Sequence, residues 1–223
     1  MSELKKFQVQ NARPLPVIVL ADTSGSMSVD GKIEALNRGL KDMVASFASE
    51  SRLRAEIEIS VIAFGGDSAE MILPLTPAHQ IGGIAQLEAT GMTPLGGALK
   101  IANELIEDKE SIPSRAYKPV VILVSDGYPN DDWQGPFQRF VNGERTAKAT
   151  RFAMAIGSDA DESMLGDFAN DPEAPLFRAE NARDIHRFFR AVTMSVSARS
   201  QSAKPNQSVP LQIPAADDED WEF

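Results

Sequence analysis

The chain has 223 residues, of which 43% are hydrophobic and 24% charged, the balance of an ordinary globular domain, and no apolar run approaches the roughly 18 residues a membrane helix needs. It contains no cysteine, which excludes disulfide scaffolds, thiolate zinc sites, iron–sulfur clusters and cysteine nucleophiles, and its two histidines, His79 and His186, are too few for a multi-histidine metal site. With 32 acidic residues against 22 basic ones the net charge is −10, so no counterion-releasing surface for a nucleic-acid backbone is expected.

Residues 1–13 form an N-terminal leader without the apolar stretch of a signal peptide, which predicts a cytoplasmic protein without membrane insertion. The run Val17-Ile18-Val19-Leu20-Ala21 is apolar on both faces, as a central parallel strand covered by helices on each side should be. From Lys32, the positions Ile33, Leu36, Leu40, Met43, Val44 and Phe47 recur at helical spacing, and Asp30-Gly31 reads as the turn that leads in. A second strand spans Glu56 to Phe64, and Glu70 to Leu73, bounded by Gly65-Gly66 and Pro74, reads as an antiparallel edge strand. Pro94 opens a helix that carries Ala98, Leu99, Ala102, Leu105 and Ile106 on one face, with Thr93 placed to cap it.

Val120 to Val124 is a second strand with no polar face, followed by a loop rich in Gly, Pro, Asn and Asp. A helix near Phe137 to Lys148, a strand at Arg151 to Ile156, a short helix from Glu162 to Asn170, a short strand at Leu176 to Arg178 and a last helix from Ala182 through Ser197, capped by Asn181, complete the pattern. Strands alternating with helices predict an α/β fold, a doubly wound, mostly parallel sheet with helices on both faces, over residues 14–198. Residues 199–223 read as a flexible tail; five of the last seven are acidic and none is basic, so half of the net charge of −10 sits there. Trp221 and Phe223 could anchor a partner there, or a tail carboxylate could compete for a bound cation.

Ligands of open parallel sheets gather at the carboxyl ends of the strands. Asp22-Thr23-Ser24-Gly25-Ser26 and Ser125-Asp126-Gly127 follow strands, Gly91-Met92-Thr93-Pro94 lies just before a helix that packs between them, and all three segments offer oxygen. Asp22, Ser24, Ser26, Thr93 and Asp126 form a set of two carboxylates and three hydroxyls suited to Mg2+ or Mn2+ and unsuited to zinc or copper. Hydroxyls fill coordination positions without cancelling charge, so the ion stays electrophilic and can accept an Asp or Glu carboxylate from a protein partner at an open position.

These residues, in this order, match the DxSxS…T…D pattern of the metal-ion-dependent adhesion site, and the chain resembles a von Willebrand factor A (VWA) domain over roughly residues 14–197. The resemblance implies direct coordination by Ser24, Ser26 and, in the ligand-competent state, Thr93, with Asp22 and Asp126 acting mainly through water. The run Lys32-Ile33-Glu34-Ala35-Leu36-Asn37 and the length are similar to the small bacterial tellurium-resistance proteins of the TerY type. That narrower likeness implies a stress-response or signalling complex with kinase- or phosphatase-type partners.

Structural readings compete at each position. Thr93 serves equally as a helix cap, Asp126-Gly127 as a turn and Ser24-Gly25-Ser26 as a flexible connection. Asp131 and Asp132 add negative potential near the ion, Asp159 and Asp161 read as loop and cap, and His186 as a boundary residue on the last helix. A Ser24, His186, Asp126 triad lacks the turn that exposes a nucleophilic serine, and the Gly91 to Gly97 stretch lacks the lysine of a P-loop. The reading is therefore a binding module without catalysis. The alternative is a Mg2+-dependent phosphohydrolase or phosphoacceptor domain with Asp22 as nucleophile, which needs a nearby Lys or Arg that the three motif segments do not contain.

Overall fold

The computed structural model describes residues 12–170, 176–207 and 209–212. β1 (Arg13–Asp22) is the centre from which the rest is built. Its alternate side chains enter two separate cores, Val17, Val19 and Ala21 on one face and Ile18 and Leu20 on the other. The first face is covered by α1 (Lys32–Ser49) and α5 (Ala182–Gln201), the second by α2 (Leu95–Glu107), α3 (Gln134–Asn142) and α4 (Glu162–Phe168). α1 and α5 pack closely because Gly39 leaves room for Phe189, whose ring lies 2.6 Å from where a Cβ would stand.

The six strands, completed by β2 (Ala55–Gly65), β3 (Ser68–Pro77), β4 (Val120–Ser125), β5 (Thr150–Ile156) and β6 (Phe177–Ala179), lie in the order β3-β2-β1-β4-β5-β6. Only the β2–β3 pair is antiparallel. The chain leaves β1 to one side for β2 and returns to the other side for β4, so the strand order reverses at β1. The crevice beyond the carboxyl ends of β1 and β4 is where a sheet of this kind places its ligand site. Asp22 and Asp126 stand at those two ends.

Several elements extend past their sequence-predicted limits. β3 continues through Pro74 to Pro77, beyond the expected end at Leu73, because an edge strand can lose an N–H without breaking a ladder on its outer side. The helix expected from Phe137 to Lys148 is divided into α3 and a 3-10 turn at Thr146–Lys148, separated by Gly143. Asn181 and Asp161 cap α5 and α4 as their positions predict, accepting from the N–H groups of Asp184 and Met164. Asp30 and Gly31, with φ of 56° and 69°, form the turn into α1.

The cap of α2 differs from the expectation. Pro94 itself stands at the boundary with a non-helical ψ of 63°, and no side-chain cap comes from that position or from Thr93. Asp131 does the capping from the β4–α3 loop, its two carboxylate oxygens accepting the N–H groups of Gly96 and Gly97 at 3.0 Å each. A residue distant in sequence replaces the local cap, which leaves the Thr93 hydroxyl out of the helix terminus.

α5 also runs beyond the expected end at Ser197, to Gln201, because Arg199 is buried rather than part of a solvated tail. Its guanidinium donates to the carbonyl of Lys118 at 2.6 Å, to Thr150 Oγ1 at 3.4 Å and to the carbonyl of Pro205. Burial pushes its pKa down to about 10. Ser195 Oγ donates to the carbonyl of Val209 at 2.7 Å, and Leu211 packs on the core of the α1–α5 face, so the chain after α5 folds back along it. The acidic positions 217–222, Trp221, Phe223 and most of the leader lie outside the described residues. Among the described residues no helix is long and apolar enough to cross a membrane.

Two outcomes test these assignments. Asp131→Ala removes two charge-assisted bonds from the start of α2 and is expected to cost about 1–2 kcal/mol in urea unfolding. Arg199→Ala removes a buried side chain and leaves the buried Pro205 carbonyl and the part-buried Lys118 carbonyl without this donor, and is expected to cost about 2–4 kcal/mol in the same measurement.

Candidate metal centre

The site begins at the last residue of β1. Asp22 is completely buried, and its Oδ1 accepts the N–H of Ser24 at 2.8 Å, which turns the chain sharply after the strand. Its Oδ2 accepts the hydroxyl of Ser125, the last residue of β4, at 2.5 Å. One carboxylate thus ties the ends of two neighbouring parallel strands together. Burial raises the Asp22 pKa above its ordinary value; hydrogen bonds from Ser125 and Ser24 oppose that rise, and the negative charge of Asp126 adds to it.

From Asp22 the hydrogen bonds continue outward. The Ser26 hydroxyl donates its proton to Asp126 Oδ1 at 2.6 Å, so the 3.1 Å contact between the Ser24 and Ser26 hydroxyls is donated by Ser24. Asp126 is as deeply buried as Asp22, whereas Ser26 is exposed. The donor set therefore has a closed floor of carboxylates, with Ser24 and Thr93 buried beside them, and opens to solvent at Ser26. The second oxygen of Asp126 accepts from Lys32 Nζ, the first residue of α1, at 2.7 Å.

Thr93 arrives on a loop laced to both neighbours. Thr90 N–H donates to the Thr23 carbonyl at 2.8 Å, Gly25 N–H to the Gly91 carbonyl at 3.0 Å, and Gly66 N–H to the Thr90 carbonyl at 2.6 Å. Gly91 has φ of 62°, and a Cβ on it would stand 2.5 Å from the Cα of Gly66, so this crossing of two backbones requires glycine. On the other side Thr93 N–H donates to Asn130 Oδ1 at 3.0 Å, and Asn130 N–H donates back to the Thr93 carbonyl at 3.2 Å. The Thr93 hydroxyl faces Gly127, 3.9 Å from where a Cβ on that residue would stand.

All five sequence-predicted site residues therefore reach one corner of the sheet, four of them joined by hydrogen bonds and Thr93 placed beside Gly127. Sequence reasoning missed Lys32, Ser125 and Asn130 as participants. The three motif segments contain no basic residue, but the turn into α1 brings Lys32, which lies outside them, onto Asp126. Its one signal in the sequence is a lysine at the first position of a helix, where the macrodipole favours acids. Asp131, read as a source of negative potential, is committed to α2. His186 has Nδ1 3.9 Å from Asp42 Oδ2 in the cleft between α1 and α5, so the Ser24, His186, Asp126 combination does not assemble.

Among the described residues no group of three or more His, Cys, Asp or Glu side chains forms a metal cluster. The donor set here is two carboxylates and three hydroxyls, which fits a hard, oxygen-seeking ion and offers nothing to a soft one. Such an ion would be held by Ser24, Ser26 and Thr93 with Asp22 and Asp126 behind them, and it would supply a Lewis-acidic position facing solvent.

The chain is 29% identical over 175 residues to the magnesium-chelatase 60 kDa subunit of Rhodobacter capsulatus, a match that takes in 76% of this chain and 28% of that protein. It thus spans little more than a quarter of that relative's length. Among solved structures, a von Willebrand factor type A protein from Catenulispora acidiphila superposes with a TM-score of 0.62 at 20% identity, over 82% of this chain and 42% of that one. Proximal thread matrix protein 1 of the mussel byssus, described with a zinc-occupied MIDAS motif, superposes with a TM-score of 0.63 at 18% identity, over 82% of this chain and 48% of that one. A family model described as the von Willebrand factor type A domain matches residues 17–129, from within β1 to just past Asp126. That segment is more than half of the chain and contains all five oxygen donors, and the chain belongs to the von Willebrand factor type A domain family.

Proposed function

We propose that the protein is a divalent-metal-dependent recognition module in which Asp22, Ser24, Ser26, Thr93 and Asp126 hold Mg2+ or Mn2+ and the ion captures an Asp or Glu side chain of a partner protein. The observation that carries this reading is the asymmetry of the site: Asp22, Ser24 and Asp126 are buried, while Ser26, whose hydroxyl links Ser24 to Asp126 in a hydrogen-bonded chain, is exposed. An ion seated on that chain has protein on one side and solvent on the other, so one coordination position faces outward.

The rim supports a protein partner over a small anion. Val29, Met92 and Tyr128 are 51%, 54% and 66% exposed, and each follows or precedes a donor by no more than three residues on a different one of the three loops. Apolar and aromatic side chains around a central polar anchor are the composition of a protein interface. The zinc-occupied MIDAS motif named for the byssus protein supports divalent-ion binding by a motif of this kind. The likeness to TerY-type proteins extends the reading to a cytoplasmic bacterial stress-response or signalling complex with kinase- or phosphatase-type partners.

A Mg2+-dependent phosphohydrolase with Asp22 as nucleophile is the weaker reading. Lys32 supplies a cation at the site, but it lies on Asp126, and both oxygens of Asp22 already accept hydrogen bonds in a fully buried position. A nucleophilic carboxylate needs one oxygen free to approach phosphorus.

Calorimetric titration with Mg2+ and Mn2+ is expected to give saturable uptake at one site. Asp22→Ala is expected to abolish it and Ser24→Ala to weaken it at least tenfold, with folding monitored by circular dichroism. Capture of a defined partner by the wild type should be lost in chelator and in both variants; folded variants that keep the same partner would overturn the reading. Turnover of a generic phosphate ester that disappears in Asp22→Ala would favour the enzyme instead.

A further inference from the structure

We infer that Lys32 is the resident counter-cation of the metal centre, and that a divalent ion binds by displacing its ammonium group from Asp126. The inference rests on the metal-capture reading and identifies, within the chain itself, what the ion must compete with. Lys32 Nζ lies 2.7 Å from Asp126 Oδ2, while Oδ1 of the same carboxylate accepts from Ser26 Oγ at 2.6 Å. The Asp126 side chain has no exposed surface, and that of Lys32 keeps 17%. Among the described residues, Lys32 is the one cation bonded to either carboxylate of the site.

Helix chemistry does not account for a lysine at this position. It is the first residue of α1, where the partial positive charge of the helix end repels a cation and attracts an acid such as Glu34 in the same turn. The ion pair with Asp126 supplies what the helix withholds. A buried carboxylate without a counter-charge is costly, and here two of them, Asp22 and Asp126, converge on one crevice. Lys32 balances one of these two charges in the protein without metal.

A divalent ion balances both. Once it sits on the Ser24–Ser26–Asp126 chain, an ammonium held on the same carboxylate is repelled at short range in a poorly solvated site. The Lys32 side chain is partly exposed, and rotation about its four-carbon stem gives the ammonium a route to water. The lysine thus protects the metal-free fold and sets a threshold concentration for metal uptake. Its removal should tighten metal binding, whereas removal of a ligand loosens it.

The test combines Mg2+ calorimetry on wild type and Lys32→Met with acylation of wild-type lysines by an amine-reactive ester, read by mass spectrometry with and without saturating Mg2+. Lys32→Met is expected to bind Mg2+ at least tenfold more tightly than wild type. The Lys32 acylation rate is expected to rise several-fold on saturation, while the exposed Lys41 and Lys100 stay constant as internal references. If wild type takes up Mg2+ but Lys32→Met binds no more tightly, or Lys32 remains equally protected at saturation, displacement is wrong and the metal site stands. If neither protein takes up Mg2+ saturably, the metal reading fails and the displacement with it. Should Lys32→Met not fold, the acylation of wild type decides the question alone.

Discussion

Two carboxylates, Asp22 and Asp126, sit almost without solvent contact at the carboxyl ends of adjacent parallel strands, and the surroundings of both are arranged to satisfy them. In water each would be stabilised by hydration; in the crevice that stabilisation has to come from the protein. Ser24 N–H, the Ser125 and Ser26 hydroxyls and the Lys32 ammonium provide it. Hydrophobic side chains of equal volume would stabilise the same corner more cheaply, which is why such a cluster points to binding. The concentration of negative potential that the fold tolerates here is the property a divalent cation can use.

The third segment of the site is held to the other two by backbone, and this couples them. Thr93 is clamped by Asn130, and α2, which starts two residues later, is capped by Asp131. Asn130 and Asp131 belong to the same loop that begins with Asp126. Asp126 and Thr93 are thus linked through the backbone of one loop and the two Asn130–Thr93 hydrogen bonds. On the opposite side the Thr90–Met92 backbone is bonded to Thr23, Gly25 and Gly66, which fixes where the loop enters the crevice. The three loops around the crevice are a connected unit and not three independent arms.

Much of this was legible from local pattern. Val17–Ala21 and Val120–Val124 read as central strands because apolar residues on both faces have one common explanation, burial between two helical layers. Asp22, Ser24, Ser26 and Asp126 were legible as candidates because strand ends in a parallel sheet converge, so residues immediately after two central strands must be neighbours, and Thr93 because its segment opens the helix expected between them. Contacts that depend on the path of a loop were not legible. Lys32 is ten residues from Asp22 and belongs to a helix, and only the turn through Asp30 and Gly31 directs it onto Asp126. Asp131 looked like one more acid of an acidic loop, and Thr93 before Pro94 looked like a local cap, until the fold gave that role to Asp131.

The C-terminal end of α5 makes the same division. Its polar composition after Ser197 reads as solvated chain, since composition carries no information about acceptors waiting on distant elements, here the Lys118 carbonyl and Thr150 Oγ1. Arg199 is drawn inside by the Lys118 carbonyl, Thr150 Oγ1 and the Pro205 carbonyl, groups that come together only when the sheet has formed. By itself the sequence determined the layers, the central strands and the oxygen-bearing candidates beside them, because hydrophobic period and the ends of strands and helices are local properties. The tertiary structure alone decided which charge neutralises which, because compensation of a buried charge depends on distance in space, and loop paths set that distance.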